Sequence, residues 1–131
     1  IQALRSEVSL FGAMSKGPTL TLEMPETLEG CRWPTHAENA AFMVTREALA
    51  NVVQHAQATC AKVRITGAAG QMTVEVIDNG LGIALESGQD LTGHLGLVGM
   101  RLRAERVGAA LMIERVAEGG TRVMFSWREC S

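Results

Sequence analysis

The sequence of 131 residues has the length of one ordinary domain with a single core, and we expect one domain over 1–131. Its 12 Lys and Arg against 14 Asp and Glu give a net charge of −2, so it lacks the basic surface that binds nucleic-acid phosphates. No apolar run approaches the roughly 18–20 residues of a membrane-spanning helix. Three cysteines without CxxC spacing argue against a disulfide framework or a zinc site and fit a reducing compartment.

Hydrophobic periodicity divides the chain into helices and strands. In chain order it predicts a short helix over 1–15, a strand over 18–24, a loop over 25–34, a helix over 35–58, strands over 61–66 and 72–78, a glycine-rich irregular stretch over 79–95, a helix over 96–107, and strands over 110–116 and 121–127. This order predicts an α+β fold, a two-layer sandwich in which helices cover one face of a sheet of about five strands.

The longest predicted helix carries two different faces. Thr35 is predicted to cap its start, with Glu38 completing a capping box. One face is apolar, with Phe42, Thr45, Leu49, Val52, Val53 and Ala56 close to one line. The opposite face carries a polar stripe at i, i+4 and i+8, formed by Glu47, Asn51 and His55. The stripe is either a solvated face or a set of oxygen and nitrogen ligands, and the amide oxygen of Asn51 suits Mg²⁺.

A carboxylate ends the second strand of the central pair. Asp78 shares its strand face with the apolar Met72, Val74 and Val76, so it should point toward the core and need a hydrogen-bond donor. Gly80 and Gly82 follow it and allow close approach to the backbone. The segment is either a simple turn or a ligand site whose amine donates to Asp78. Thr121 is likewise on an inward face of the last strand; its hydroxyl either bonds locally or also meets a ligand.

A second glycine-rich segment leads into the helix predicted over 96–107. Glycines before and inside a first helical turn let backbone N–H groups face an anion, aided by the helix dipole. The segment fits neither a Walker loop nor a dinucleotide fingerprint, because no Gly-Lys-Ser/Thr follows and no strand leads directly into it. It is either an anion site or a flexible connection.

Four segments, in this order, resemble the motifs of sensor histidine kinases of the subfamily related to the nitrate sensors. Residues 46–56 (REALANVVQHA) are similar to the N-box, 78–83 (DNGLGI) to the first glycine box, 93–100 (GHLGLVGM) to the second, and 119–123 (GGTRV) to the terminal Gly-Gly-Thr motif. The resemblance implies the GHKL ATPase fold, a two-layer α/β sandwich with a mixed, mostly antiparallel sheet, and an ATP lid over about 83–95.

The resemblance also implies roles for individual residues. Asp78 would accept a hydrogen bond from the adenine amino group, and Thr121 would help to hold adenine. Asn51 would bind the Mg²⁺ that bridges the phosphates of ATP. Glu47 would orient the attacking group or accept its proton, with His55 near the phosphates. Further ATP contacts would come from Gly80, Gly82, Gly93, Gly96, Leu97, Gly99 and Met100.

Taken as a histidine kinase domain, the chain would transfer the γ-phosphoryl group of ATP to a His on the dimerisation helix of its parent protein, and from there to a response regulator. No phosphoacceptor segment is evident, and the chain opens on Ile1, so we expect the cytoplasmic ATP-binding part of a longer, membrane-anchored sensor, itself without membrane contact. Gln54 stands where the family usually has Lys or Arg. The alternatives are an anti-sigma-factor-type serine kinase, an ATPase of the gyrase and mismatch-repair kind, or a non-catalytic nucleotide-sensing module.

Overall fold

A computed structural model describes residues 6, 19–25, 33–55, 59–80, 97–116 and 119–129. The elements over these residues are β1 (Thr19–Glu23), α1 (Thr35–His55), β2 (Cys60–Ala68), β3 (Gln71–Asp78), α2 (Leu97–Arg106), β4 (Ala110–Arg115) and β5 (Thr121–Arg128). They confirm the predicted strands and the two longer helices within a few residues at each end. The helix predicted over 1–15 lies outside the described residues except for the helical Ser6, and so does the predicted lid.

The five strands form one sheet in the order β1-β2-β3-β5-β4. The β1–β2 pair is parallel and the other three pairs are antiparallel, which confirms a mixed, mostly antiparallel sheet. Parallel neighbours need a crossover connection, and α1 lies in the connection between β1 and β2. None of the described helices is long and apolar enough to cross a membrane.

The core lies between the helices and one face of the sheet. Along β3 and β5, alternate residues are buried, as strand geometry requires when one face is covered. These buried strand residues include Met72, Val74, Val76, Val123 and Phe125. The core is mainly aliphatic, as the low aromatic content predicts, with Phe125 at its centre at 1% exposure.

The start of α1 differs from its prediction. The backbone N–H groups of Ala37 and Glu38 both donate to the carbonyl oxygen of Pro34, so Pro34 is the capping position and Thr35 already lies in the first turn. The Glu38 carboxylate still bonds backward, but it accepts from the backbone N–H of Trp33 (3.3 Å). The prediction that Thr35 caps the helix is therefore wrong, because the capping position lies one residue earlier, at Pro34.

The buried face of α1 is also rotated from the predicted apolar line. Phe42 is only partly buried, whereas a run of smaller side chains is buried in the core, namely Ala37, Ala40, Ala41, Val44 and Ala48. Small side chains suit positions where a helix packs closely on its neighbours, which explains why the buried face follows this run and not the bulkier Phe42. As a result, Glu47 and Asn51 of the polar stripe, both partly buried, border the buried face and do not lie opposite it.

The outer face of the sheet carries a row of alternating charges. Its centre is Arg122, which donates from Nε to Glu75 (2.8 Å) and from Nη1 to Glu114 (2.9 Å). Glu75 is 9% exposed although it lies on the face opposite the described helices, and the guanidinium of Arg122 pairs with its buried carboxylate. Near β1, Glu23 pairs with Lys62 and Arg64, each at 3.1 Å.

Candidate functional site

Asp78 is a buried carboxylate at the end of the central strand β3. Its residue is 6% exposed, which confirms the predicted inward orientation. The backbone N–H of Gly80 donates to Asp78 Oδ1 (2.8 Å), and the backbone N–H of Thr121 also bonds to this carboxylate. Burial nevertheless raises the pKa of Asp78 above its ordinary value of 3.8, because desolvation of the charged form outweighs the two amide bonds.

The Gly-Gly turn before β5 packs directly against this strand end. Thr121 is 4% exposed and begins β5 beside Asp78. This confirms the prediction that both side chains lie on the inward faces of their strands. Gly120 adopts φ +98°, and a Cβ at this position would overlap the carbonyl oxygen of Asp78. Only glycine permits this approach. The first and last glycine motifs of the sequence therefore meet at one place.

The polar stripe reaches the same end of the sheet from α1. Glu47 and Asn51 are partly buried and one helical turn apart, and His55 is the last residue of α1. Cys60 begins β2 only a few residues after His55, and its neighbour Ala61 pairs with Asp78. The helix thus ends close to the strand end that carries the buried carboxylate. The side chain of His55 lies outside the described residues.

The second glycine segment is described only where it enters α2. Leu97 is the first residue of α2 and Gly99 is exposed. Apart from its chain neighbours and the backbone of its own helix, no atom of the described residues lies within 4 Å of a Cβ built on Gly99. Met100 is buried at 1% exposure, so its side chain belongs to the core. The backbone N–H groups of Leu97, Val98 and Gly99 lie in the first turn of α2, where N–H groups have no acceptor within the helix. Gly82, Gly93 and Gly96 lie outside the described residues.

A polar side chain of α1 that could hold a metal ion is the amide of Asn51. In the part of the chain that the structure describes, no three His, Cys, Asp or Glu side chains cluster as metal ligands. Mg²⁺ commonly takes one or two protein oxygens and completes its shell with phosphates and water. The amide of Asn51 can be that protein ligand, so the residues are compatible with Mg·ATP.

Two features escaped the sequence analysis, one beside the site and one at the opposite end of the sheet. Asn79, which the sequence suggests only as a turn residue, hydrogen-bonds to Thr59 and Cys60 at the start of β2. Trp33 closes the far end of the β2–β3 hairpin, where its Nε1–H donates to the carbonyl oxygens of Ala68 (3.0 Å) and Gln71 (2.8 Å). Both contacts join residues distant in sequence, so only the strand register could have revealed them.

A helix-covered mixed sheet with a carboxylate and two glycine motifs converging at one strand end defines the class of this protein: an α/β sandwich of the ATPase type. More specifically, the chain belongs to the histidine kinase-, DNA gyrase B- and HSP90-like ATPase family, whose model matches residues 36–130.

The curated relatives that this chain matches are sensor kinases within this family. The chain is 37% identical to the nitrate/nitrite sensor protein NarQ of Escherichia coli, over 85% of this chain and 22% of that protein. It is 35% identical to the signal transduction histidine-protein kinase/phosphatase DegS of Brevibacillus brevis, over 75% of this chain and 25% of that protein. The chain therefore spans about a quarter of the length of these relatives, and it corresponds to an ATP-binding catalytic domain of the sensor histidine kinase type.

Solved structures confirm the fold. The histidine kinase domain of the Erythrobacter litoralis EL346 blue-light activated histidine kinase superposes with a TM-score of 0.77 at 23% identity, covering 95% of this chain and 58% of that one. The ATP binding domain of PrrB from Mycobacterium tuberculosis gives a TM-score of 0.75 at 19% identity, covering 99% of this chain and 93% of that one.

Proposed function

We propose that this domain binds Mg·ATP and transfers its γ-phosphoryl group to a histidine on the dimerisation helix of the parent protein, from which it passes to a response regulator. Its place would be the cytoplasm, where ATP is available. The observation that carries the proposal is the buried, desolvated carboxylate of Asp78. This carboxylate accepts two backbone N–H groups and keeps further acceptor capacity on its oxygens, and the exocyclic amino group of adenine is a donor that could use it.

Three regions of the chain would each hold one part of the nucleotide. Asp78 and Thr121 would bind the adenine edge, with Gly80 and Gly82 leaving room for its approach. Asn51 would ligate the metal, which when bound supplies charge neutralisation at the phosphates. The backbone at 93–100 would face the phosphates, and the lid at about 83–95 would exclude water.

Phosphoryl transfer would depend mainly on how this chain positions ATP and the acceptor, and less on covalent participation of its side chains. The imidazole nitrogen of the acceptor attacks the γ-phosphorus, a phosphorus–nitrogen bond forms, the bond to the bridging oxygen breaks, and ADP leaves. Glu47 would orient the acceptor ring or take its proton, and His55 would lie near the phosphates. Gln54 stands at a position where the family usually has a cation, so we expect phosphate binding to rely on the metal and backbone amides.

Nucleotide binding is tested by calorimetric titration of this chain with ATP and Mg²⁺. We expect wild type to bind and Asp78→Ala to lose most of its affinity. Glu75→Gln is the matched control, because Glu75 is a buried acidic residue on the same strand that faces the opposite side of the sheet. Unchanged affinity in Asp78→Ala would contradict the adenine role.

Phosphotransfer is tested in the full-length parent with γ-labelled ATP. We expect autophosphorylation that is lost in Asn51→Ala, and a product that is labile in acid, as phosphohistidine is. An acid-stable product on a partner's serine would favour the serine kinase alternative. Nucleotide binding without any phosphorylation of the parent would favour the non-catalytic sensing module.

A further inference from the structure

Asn79 joins the strand end that bears Asp78 to the chain returning from α1. Its Oδ1 accepts hydrogen bonds from the backbone N–H groups of Thr59 (2.9 Å) and Cys60 (3.0 Å). Its Nδ2 donates to Thr59 Oγ1 (2.7 Å), and its own backbone N–H donates to the carbonyl oxygen of Cys60 (3.3 Å). We call these four hydrogen bonds the Asn79 clamp.

The clamp lies where the regular sheet pairing stops. Ala61 and Asp78 form the last rung between β2 and β3, and the side chain of Asn79 extends the connection beyond that rung. Asn79 stands between Asp78 and Gly80, whose backbone N–H bonds to the Asp78 carboxylate. On the other side, Thr59 follows the C-terminal end of α1 within a few residues. The clamp therefore connects the carboxylate to the end of the helix that carries Glu47 and Asn51.

These hydrogen bonds are exposed, so water can replace them at little cost to the fold. Their geometry can matter more than their contribution to stability. A ligand that engages two subsites at once gains affinity only when the subsites are held at the spacing the ligand requires. Asp78 and the α1 stripe would be two such subsites, and the clamp holds the start of β2, which follows α1 in the chain, against the strand end at Asp78.

We propose that Asn79 is a positioning residue for the nucleotide, which it does not itself contact: its clamp sets the spacing between the adenine carboxylate Asp78 and the phosphate-side residues of α1. The inference rests on the proposed function, since it presumes that one ATP molecule spans both groups. It predicts that loss of the clamp weakens ligands that span both subsites and spares ligands that occupy only the adenine end.

The test compares ATP with adenosine on three forms of the chain. Adenosine binding is followed by NMR at millimolar concentration, and Mg·ATP binding by calorimetry. For Asn79→Ala we expect the affinity for ATP to fall roughly tenfold or more and that for adenosine by less than about twofold. For Asn79→Asp we expect ATP affinity within about threefold of wild type, because its carboxylate accepts both N–H groups and the Thr59 hydroxyl can donate to it. Thermal unfolding checks that both variants fold.

Three outcomes of these titrations would contradict different parts of the proposal. ATP affinity unchanged in Asn79→Ala refutes the role of Asn79 and leaves the proposed function standing. An equal loss for ATP and adenosine, or no rescue by Asn79→Asp, shows that the residue supports the adenine pocket or the fold and overturns the spacing argument. A folded wild type that binds no nucleotide refutes the proposed function, and the nucleotide role of Asn79 with it.

Discussion

The contact between Gly120 and the strand end at Asp78 offers a sharp test of how the two glycine motifs fit together. In Gly120→Ala the new Cβ would overlap the carbonyl oxygen of Asp78, and it would lie 2.8 Å from the carbonyl carbon of Asp78 and 3.0 Å from Asn79 Cα. All three neighbours are backbone atoms, so no side-chain rotation can relieve the contact. The strand end or the turn must move.

The expected loss of stability has two parts. An alanine at φ +98° costs about 1–2 kcal/mol, because L-residues rarely adopt left-handed backbone conformations. Displacing packed backbone adds about 1–3 kcal/mol, by analogy with overpacked cores. The sum is about 2–5 kcal/mol, which lowers the Tm of a domain of this size by roughly 10 °C or more.

Gly108 separates these two parts. It has φ +72°, and apart from its chain neighbours no atom of the described residues lies within 4 Å of its added Cβ. Gly108→Ala should therefore show the backbone part alone, about 1–2 kcal/mol. Urea unfolding of wild type and both variants, followed by circular dichroism, measures the difference. If Gly120→Ala unfolds within about 0.5 kcal/mol of Gly108→Ala, the close approach at Asp78 is not a tight contact and the reasoning fails.

Three further outcomes are expected. Burial raises the pKa of Asp78, so as pH increases this carboxyl ionises first in the unfolded chain and only later in the folded one. As pH rises through 3.8 and then through the raised pKa, the free energy of unfolding of wild type, measured in urea, should therefore fall steadily relative to that of Asp78→Asn. A pH-independent difference between the two would contradict this. Gly99→Ala should keep or raise Tm, since it adds helix propensity in open space, yet weaken Mg·ATP in calorimetry; unchanged affinity would remove Gly99 from the phosphate site. Arg122→Met should cost about 1–3 kcal/mol in urea unfolding by leaving Glu75 unpaired, whereas Glu23→Gln in the exposed pair should change little; equal losses would refute this distinction.

The strand part of the fold could be predicted from the sequence because strand geometry has a simple rule. Alternation fixes which residues of β3 and β5 face inward, and it correctly placed the polar Asp78 and Thr121 among apolar neighbours. The family resemblance then supplied a reason for two polar groups on a buried face. The roles of these residues toward ATP stay predictions until nucleotide binding is measured.

The buried face of α1 was predicted less accurately than the strand faces, because a hydrophobicity pattern contains no information on how closely two elements pack. Phe42 is the bulkiest residue of the apolar line, yet it is only partly buried, whereas the smaller Ala41 and Ala48 are buried in the core. The Asn79 clamp was likewise hidden. Its partner Thr59 is 20 positions away, and the pairing depends on a register that only the three-dimensional structure provides.

The placement of the two tryptophans determines what optical spectroscopy can report about this domain. Trp33 closes the β2–β3 hairpin, and Trp127 contacts His36 near the start of α1 and lies six residues, or about 20 Å along β5, from Thr121. Intrinsic fluorescence therefore monitors the end of the domain remote from the candidate site. A substitution around Asp78 that alters the emission has disturbed the whole domain, whereas one that abolishes ligand binding with an unaltered spectrum has acted locally.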